Sequence, residues 1–224
     1  MKIHHFYHVY SNGSWEMPFR EHINALRHTS LIDNLYSFHI GIVGNEQSRE
    51  SVKRLIKDEN LNAVICCEAD DGWEQETLDE LLEFSKENDG LILYAHTKTA
   101  VNINDLHLRW RKSMAYHNII NWQKNVDILT NPDEVFHITG CHYLDSATAS
   151  NPDTVPVKTF KGFMAGNYWW SKLEYIRNLD KCHRNNRYFA EIWISDLKDI
   201  YQDEYKIYDF DPIHPGQNRF TAQW

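Results

Sequence analysis

The sequence predicts an α/β fold in one domain, with a mainly parallel sheet covered by helices on both faces. Three observations predict it. Strand and helix signals follow one another in the order βαβαβαβ over the first half of the chain. The strand candidates are short apolar runs, as strands buried on both faces require. No internal repeat, low-complexity tract or linker divides the 224 residues, a length that suits one domain with a full core.

Lys2 to Tyr10 is rich in aromatic and β-branched residues and reads as the first strand, ended by Ser11-Asn12-Gly13-Ser14. Phe19 to Leu35 carries Phe19, Ile23, Leu26, Leu31 and Leu35 at mostly helical spacing. Phe38 to Val43 is a short strand ending at Gly44, and Glu46 to Asp58 is a helix with Val52, Leu55 and Ile56 on one face. Asn62 to Cys67 is the third strand, in which neighbouring Cys66 and Cys67 should point to opposite faces. A helix from Glu74 to Asn88 follows, then the apolar strand Gly90 to Ala95. Right-handed crossovers bring the loops after these strands to one edge, where open α/β sheets bind ligands. The second half predicts a long helical stretch over Asp105 to Leu129, broken near Asn121. It also predicts strands at Val135 to Leu144 and Val155 to Phe163, helices at Trp169 to Leu179 and Phe189 to Ile200, and a wrapping tail from Tyr205.

Composition narrows the function. A net charge of −9 without a basic stripe argues against nucleic acid as the main partner, because phosphate neutralisation needs clustered Lys and Arg. The four cysteines, Cys66, Cys67, Cys141 and Cys182, form no CxxC or zinc spacing and read as reduced thiols. No segment has the length of a membrane span or the pattern of a signal peptide, so the expected location is the cytoplasm. Eight Trp and twelve Tyr favour core packing first, and stacking on sugars or bases second.

Four stretches carry candidate chemistry. Lys98 and His96, in the loop after the fourth strand, suit a diphosphate through charge-assisted hydrogen bonds, against a solvated loop. Asp70 and Asp71 suit Mg²⁺ or Mn²⁺, but an N-cap to the following helix is the favoured reading. In Gly162 to Trp170, Asn167 with Trp169 and Trp170 would make a sugar platform with a hydrogen-bonding edge, against a tight turn with the aromatics packed inward. Glu191 stands alone in an apolar stretch, as a general base with a raised pKa or as the partner of Arg184, Arg187, Arg109 or Arg111.

The order of these motifs carries a resemblance. Ile92-Leu93-Tyr94-Ala95-His96-Thr97-Lys98, Trp110-Arg111-Lys112-Ser113-Met114, Gly166-Asn167-Tyr168-Trp169-Trp170 and Glu191-Ile192-Trp193-Ile194 together resemble a family of small GT-A-type glycosyltransferases. Its members occur in bacterial surface-polysaccharide clusters and in large algal viruses that glycosylate their own capsid proteins. The family pattern looks like LYxHTKG, WRxxM, GNFWW and ExWI, and the match spans roughly residues 1 to 200; this chain departs from it at Thr99.

The resemblance implies a GT-A-like, Rossmann-like domain over 1–224, with a nucleotide-sugar-binding half at 1–104 and an acceptor and catalytic half at 105–224. It implies a UDP-sugar donor held by Ser11, His96, Lys98, Arg111 and His214, and a glycan or glycoprotein acceptor positioned by Asn167, Trp169 and Trp170. Glu191 would be the base of an inverting transfer, with Mn²⁺ or Mg²⁺ at Asp70 and Asp71 or with Lys98 and His96 in the metal's place. The cytoplasm would be that of the host if the chain is viral. A non-catalytic carbohydrate-binding or scaffold domain is the alternative, since the usual Asp-x-Asp metal motif gives way to His96-Thr97-Lys98. A nucleotidyltransferase shares the layout but favours a basic Gly-rich loop after the first strand, and Ser11 to Ser14 carries no basic residue.

Overall fold

In the computed structural model, which describes residues 1–97, 104–133, 135–145, 162–195 and 207–210, four parallel strands form one half of the sheet. They are β1 (Ile3–Tyr10), β2 (Ser37–Val43), β3 (Val64–Ala69) and β4 (Leu91–His96), in the spatial order β3-β2-β1-β4. The connecting helices are α1 (Glu16–His28), the short α2 (Leu31–Asn34), α3 (Glu46–Asp58) and α4 (Gln75–Glu87). Ser30, at φ 55°, interrupts what periodicity predicts as one helix over Phe19 to Leu35. Helix α3 matches its predicted bounds because both signals are strong: Asn45 caps it by accepting from the Ser48 N–H at 2.9 Å, and Val52, Leu55 and Ile56 are buried.

The helices divide between the two faces. Phe19, Ile23 and Leu26 of α1 and Val52 of α3 pack with Tyr7, Val9, Leu93 and Ala95. Leu78, Leu81 and Leu82 of α4 pack with Phe6, Ile92 and Tyr94 on the other face. Alternation along β1 and β4 sends successive side chains to these two cores. The chain first steps from β1 through β2 to β3, then returns to lay β4 on the free side of β1. The crossovers therefore diverge between β1 and β4. That is the topological switch point of the sheet.

The second half comprises α5 (Asp105–Ala115), a π turn (Tyr116–Ile120), α6 (Trp122–Thr130), β5 (Ile138–Gly140), β6 (Tyr143–Asp145), β7 (Gly162–Met164), β8 (Trp169–Lys172), α7 (Leu173–Ile176), α8 (Phe189–Trp193) and β9 (Ile207–Asp209). The expected break near Asn121 is present, preceded by the π turn. Strand β8 lies antiparallel to both β4 and β5, and β9 runs parallel to β5, which completes a seven-stranded sheet. Strands β6 and β7 form a separate ribbon, so the predicted strand at Val135 to Leu144 splits between two sheets, at His142 with φ 64°.

Two expectations are corrected here. Trp169 to Leu179 is not one helix: Trp169–Lys172 is a strand and only Leu173–Ile176 is helical. Both indoles are fully buried, Trp169 in the α4-side core and Trp170 in the α1-side core. Their N–H groups donate to Asn167 Oδ1 at 2.7 Å and to the Asn118 carbonyl at 2.8 Å. Adjacent aromatics reach opposite cores equally well with strand alternation, and the hydrogen-bonding edge of β4 decides in favour of the strand. The second correction concerns Cys66 and Cys67. The β2–β3 register slips between Ile40 and Gly41, so Cys66 is a bulge residue. Cys66 packs with the α4-side core and Cys67 Sγ lies 3.8 Å from Thr77 Oγ1 of α4, placing both thiols on one face. All four cysteines are free thiols. No described helix is long and apolar enough to cross a membrane.

Candidate acid–base site at the switch point

At the carboxyl end of β4 four side chains from three segments converge. Glu74 precedes the first turn of α4 at the N-cap position. Its Oε2 accepts from the Tyr94 hydroxyl at 3.0 Å and from Asn167 Nδ2 at 2.6 Å, while Oε1 lies 3.5 Å from His96 Nδ1. The positive end of the α4 dipole favours the ionised carboxylate at this position. His96 is the last residue of β4 and, by alternation from Ile92 and Tyr94, faces α4. Its Nε2 stands 2.8 Å from the Gly166 carbonyl, which can only accept, so Nε2 carries a hydrogen. Nδ1 faces Glu74 and is the atom at which the ring takes up a second proton when it does so. Both side chains keep some access to solvent, 13% for His96 and 15% for Glu74.

The turn before β8 holds this pair. Gly166 (φ 92°) and Asn167 (φ 53°) are both in the left-handed region, and Asn167 N–H closes the turn on the Met164 carbonyl at 2.9 Å. Asn167 is fully buried; besides donating to Glu74 it accepts from the Trp169 indole. The Tyr168 hydroxyl donates to the His96 carbonyl at 2.8 Å. Glu191, on α8, accepts from the Gly166 N–H at 3.4 Å, on the glycine whose carbonyl receives His96. A second imidazole lies nearby: His8 Nδ1 is 2.8 Å from Thr77 Oγ1, and burial pushes its pKa down to about 4 despite the pull of Glu74. It is neutral at neutral pH.

Of the residues singled out in the sequence, the structure brings His96, Asn167 and Glu191 together. It adds Glu74 and Tyr94, which the motif reading missed. Alternation along the fourth strand already places Tyr94 with His96. Glu74 opens the helix after the third-strand loop, at the same sheet edge, but only the crossover geometry carries it to His96. Ser11 is buried at the end of β1, where its hydroxyl donates to the Val43 carbonyl at 3.0 Å and shares a 2.8 Å bond with Ser48. Arg111 lies toward the opposite face, ion-paired with Glu21 at 2.7 Å. Lys98 and His214 lie outside the described residues.

Two expected roles do not fit. Trp169 and Trp170 are both sealed in the core and offer no sugar platform, and the Asn167 amide is spent on Glu74 and Trp169. Asp70 is exposed and paired with Arg49, and neither it nor Asp71 caps α4, whose N-cap is Glu74. Among the described residues no group of three or more His, Cys, Asp or Glu is arranged to hold a metal ion.

The family model described as "Domain of unknown function (DUF8361)" matches residues 6–224, and the chain belongs to that family. No curated protein matches the chain. Among solved structures it is similar to the 4-diphosphocytidyl-2C-methyl-D-erythritolsynthase of Anaerococcus prevotii DSM 20548, at 10% identity and a TM-score of 0.46, covering 99% of this chain and 93% of that one. It is also similar to the bifunctional IspDF of Campylobacter jejuni, at 9% identity and a TM-score of 0.45, covering 98% of this chain and 52% of that one. At such identities the likeness concerns the fold, an α/β sheet of Rossmann type. The expectation of a glycosyltransferase, with its carbohydrate-binding alternative, is corrected by this finding: the similar structures are a diphosphocytidyl-methylerythritol synthase and a bifunctional IspDF. The burial of Trp169 and Trp170 removes the sugar platform on which the expectation leaned.

Proposed function

We propose that this member of the DUF8361 family is an enzyme of the transferase class that takes a nucleotide-bearing substrate at the switch point and uses Glu74 and His96 to move a proton during the transfer. One observation carries the reading: a carboxylate and an imidazole, largely buried yet still reached by solvent and 3.5 Å apart, are fixed by Tyr94, Asn167 and the Gly166 carbonyl at the divergence of the crossovers. Such a pair is organised before substrate arrives, which is what general acid–base chemistry needs. With Nε2–H held by the Gly166 carbonyl, His96 takes the proton of an acceptor hydroxyl at Nδ1, and the Glu74 carboxylate stabilises the imidazolium that forms. Tyr94 and Asn167 position Glu74. The nucleotide is supported by place alone, since doubly wound sheets bind nucleotides in the crevice outside the switch-point strands.

The test separates binding from chemistry. Calorimetry with ATP, CTP, GTP and UTP, with and without Mg²⁺, should detect at least one ligand, and slow hydrolysis of that nucleotide supplies an activity. Glu74→Gln and His96→Gln should each lower this turnover about 10²-fold or more while binding persists, the usual scale for an acid–base group. Failure of all four nucleotides to bind at millimolar concentration overturns the nucleotide assignment. Undiminished turnover in both variants overturns the acid–base assignment.

A further inference from the structure

On the other face of the sheet a cavity of about 470 Å³ opens between α1, α5 and the π turn. Pro18, Ala115, Tyr116, Ile120 and Tyr168 give it a largely apolar wall, and Arg111, Lys112, Glu21 and His22 supply its polar groups. The volume lies within the usual range for small-molecule sites.

The hydrogen-bond states of its wall can be derived. His5 Nδ1 is 2.9 Å from the Leu93 carbonyl, an acceptor only, so Nδ1 carries the hydrogen. Burial holds the His5 pKa down to about 3 and that of His22 well below its ordinary value, so both rings are neutral. His5 Nε2 is therefore a lone pair, and it lies 2.7 Å from His22 Nε2, which must donate. That leaves His22 Nδ1 as an acceptor on a ring that lines the cavity. Tyr7 stacks on the back of this ring at 4.0 Å, and its fully buried hydroxyl has no hydrogen-bond partner among the described residues. Its charged and polar neighbours, Tyr168, Arg111 and Glu21, all belong to the cavity wall. A buried hydroxyl left over behind an apolar hollow, with an imidazole acceptor on the ring that lines it, is an arrangement that a protein core avoids unless a ligand completes it.

The cationic end is equally specific. The Arg111 side chain is 5% exposed, and its pairing carboxylate, Glu21, is 47% exposed. An incoming anion can share or take over the guanidinium while Glu21 turns to solvent, and Lys112 adds a second positive charge at the rim.

We infer that this cavity binds a small organic anion, a planar ring with one carboxylate or phosphate for Arg111 and Lys112 and a hydroxyl or amino donor for His22 Nδ1. The inference rests on the cavity alone and is independent of the acid–base reading. Tyr168 joins the two places, its ring forming part of the cavity wall and its hydroxyl holding the His96 carbonyl.

The probes are 4-hydroxybenzoate, benzoate, phenyl phosphate and the neutral benzamide, followed by calorimetry and ligand-observed NMR on the full chain. The anions should bind, with benzamide at least tenfold weaker; 4-hydroxybenzoate should exceed benzoate, and His22→Phe should erase that preference. Stronger binding of phenyl phosphate than of the benzoates identifies a phosphate ligand, the reverse a carboxylate. Ala115→Trp, which fills the hollow from α5, should abolish binding, and Lys112→Met, at the rim, should weaken it several-fold even if the tryptophan variant does not fold. Binding of all four probes with equal strength, or binding unchanged by Lys112→Met, or no binding at millimolar concentration, overturns the inference.

Discussion

Gly166 joins backbone conformation to chemistry at a single residue. Its φ of 92° is strained for any side chain, and a Cβ there would lie 2.5 Å from Met114 Sδ and 3.1 Å from the Trp110 ring. The methionine end can swing aside, but the backbone strain stays, and the indole offers little room. Gly166→Ala should therefore destabilise the fold by about 2 kcal/mol, the scale of positive-φ strain with added crowding. For a domain of this size that is a fall in Tm of roughly 4–8 °C. The same carbonyl receives His96 Nε2, so catalytic loss should exceed what the lower stability explains. Thermal melts read beside turnover at 25 °C check it; a variant with wild-type Tm and activity removes the turn from the account. Asn167 makes the complementary case. The sequence marks it as a binding residue, yet both ends of its buried amide are engaged, Nδ2 by Glu74 and Oδ1 by Trp169. It acts on the site through another side chain.

At the scale of elements, what was legible depended on whether local signals agreed. Helix α3 was readable to the residue, because its Asn45 cap and its apolar face specify the same start and period. The four parallel strands were readable as apolar runs, and with them the edge that carries His96. Strand β8 was not, since two adjacent tryptophans fit a helix or a strand, and only the partner edges of β4 and β5 decide between them. Glu74 was hidden for a related reason: twenty-one residues of chain, with a helix and most of a strand, lie between it and His96, and their meeting is a property of the crossover. The bulge in β3 was equally silent in the sequence. It turns Cys66 and Cys67 to one side, where the two thiols interact and Thr77 Oγ1 lies 3.8 Å from Cys67 Sγ. The interaction with Cys66 foremost, and then Thr77, lowers the Cys67 pKa against burial, while Cys66 is raised chiefly by its interaction with Cys67 and then by burial. Cys67 should be the first thiol alkylated by limiting iodoacetamide, ahead of Cys66 and of the buried Cys141 and Cys182. Peptide mapping by mass spectrometry reads the order, and modification of Cys141 or Cys182 first would contradict the bulge geometry.

For the molecule as a whole, the dominant titratable feature is a set of neutral imidazoles enclosed by the sheet and its helices. Burial is the main cause in each case: it takes His5 down to about 3, His8 and His39 down to about 4, and His22 well below its ordinary value. The unfolded chain binds a proton at each of these as pH falls through about 6.5, whereas the native state refuses it until much lower pH. The unfolded state then holds more protons, so stability rises with pH in this window and falls on acidification. The contribution is complete above about pH 6.5 and is lost progressively toward pH 4 and below. For His8 alone, a displacement from 6.5 to about 4 corresponds to roughly 3 kcal/mol, at about 1.4 kcal/mol per pH unit. His5 and His22 act in the same direction, so together they reach a large part of the roughly 5–15 kcal/mol that keeps a domain folded. Urea midpoints followed by circular dichroism should accordingly drop steeply between pH 7 and pH 4.5. The His8→Gln variant, which keeps a polar group toward Thr77 but cannot take up a proton, should show a shallower slope. A midpoint that stays level across that interval in the wild-type protein would mean that these rings are charged in the native state, and the tautomer chain through His5 and His22 would fall with the prediction.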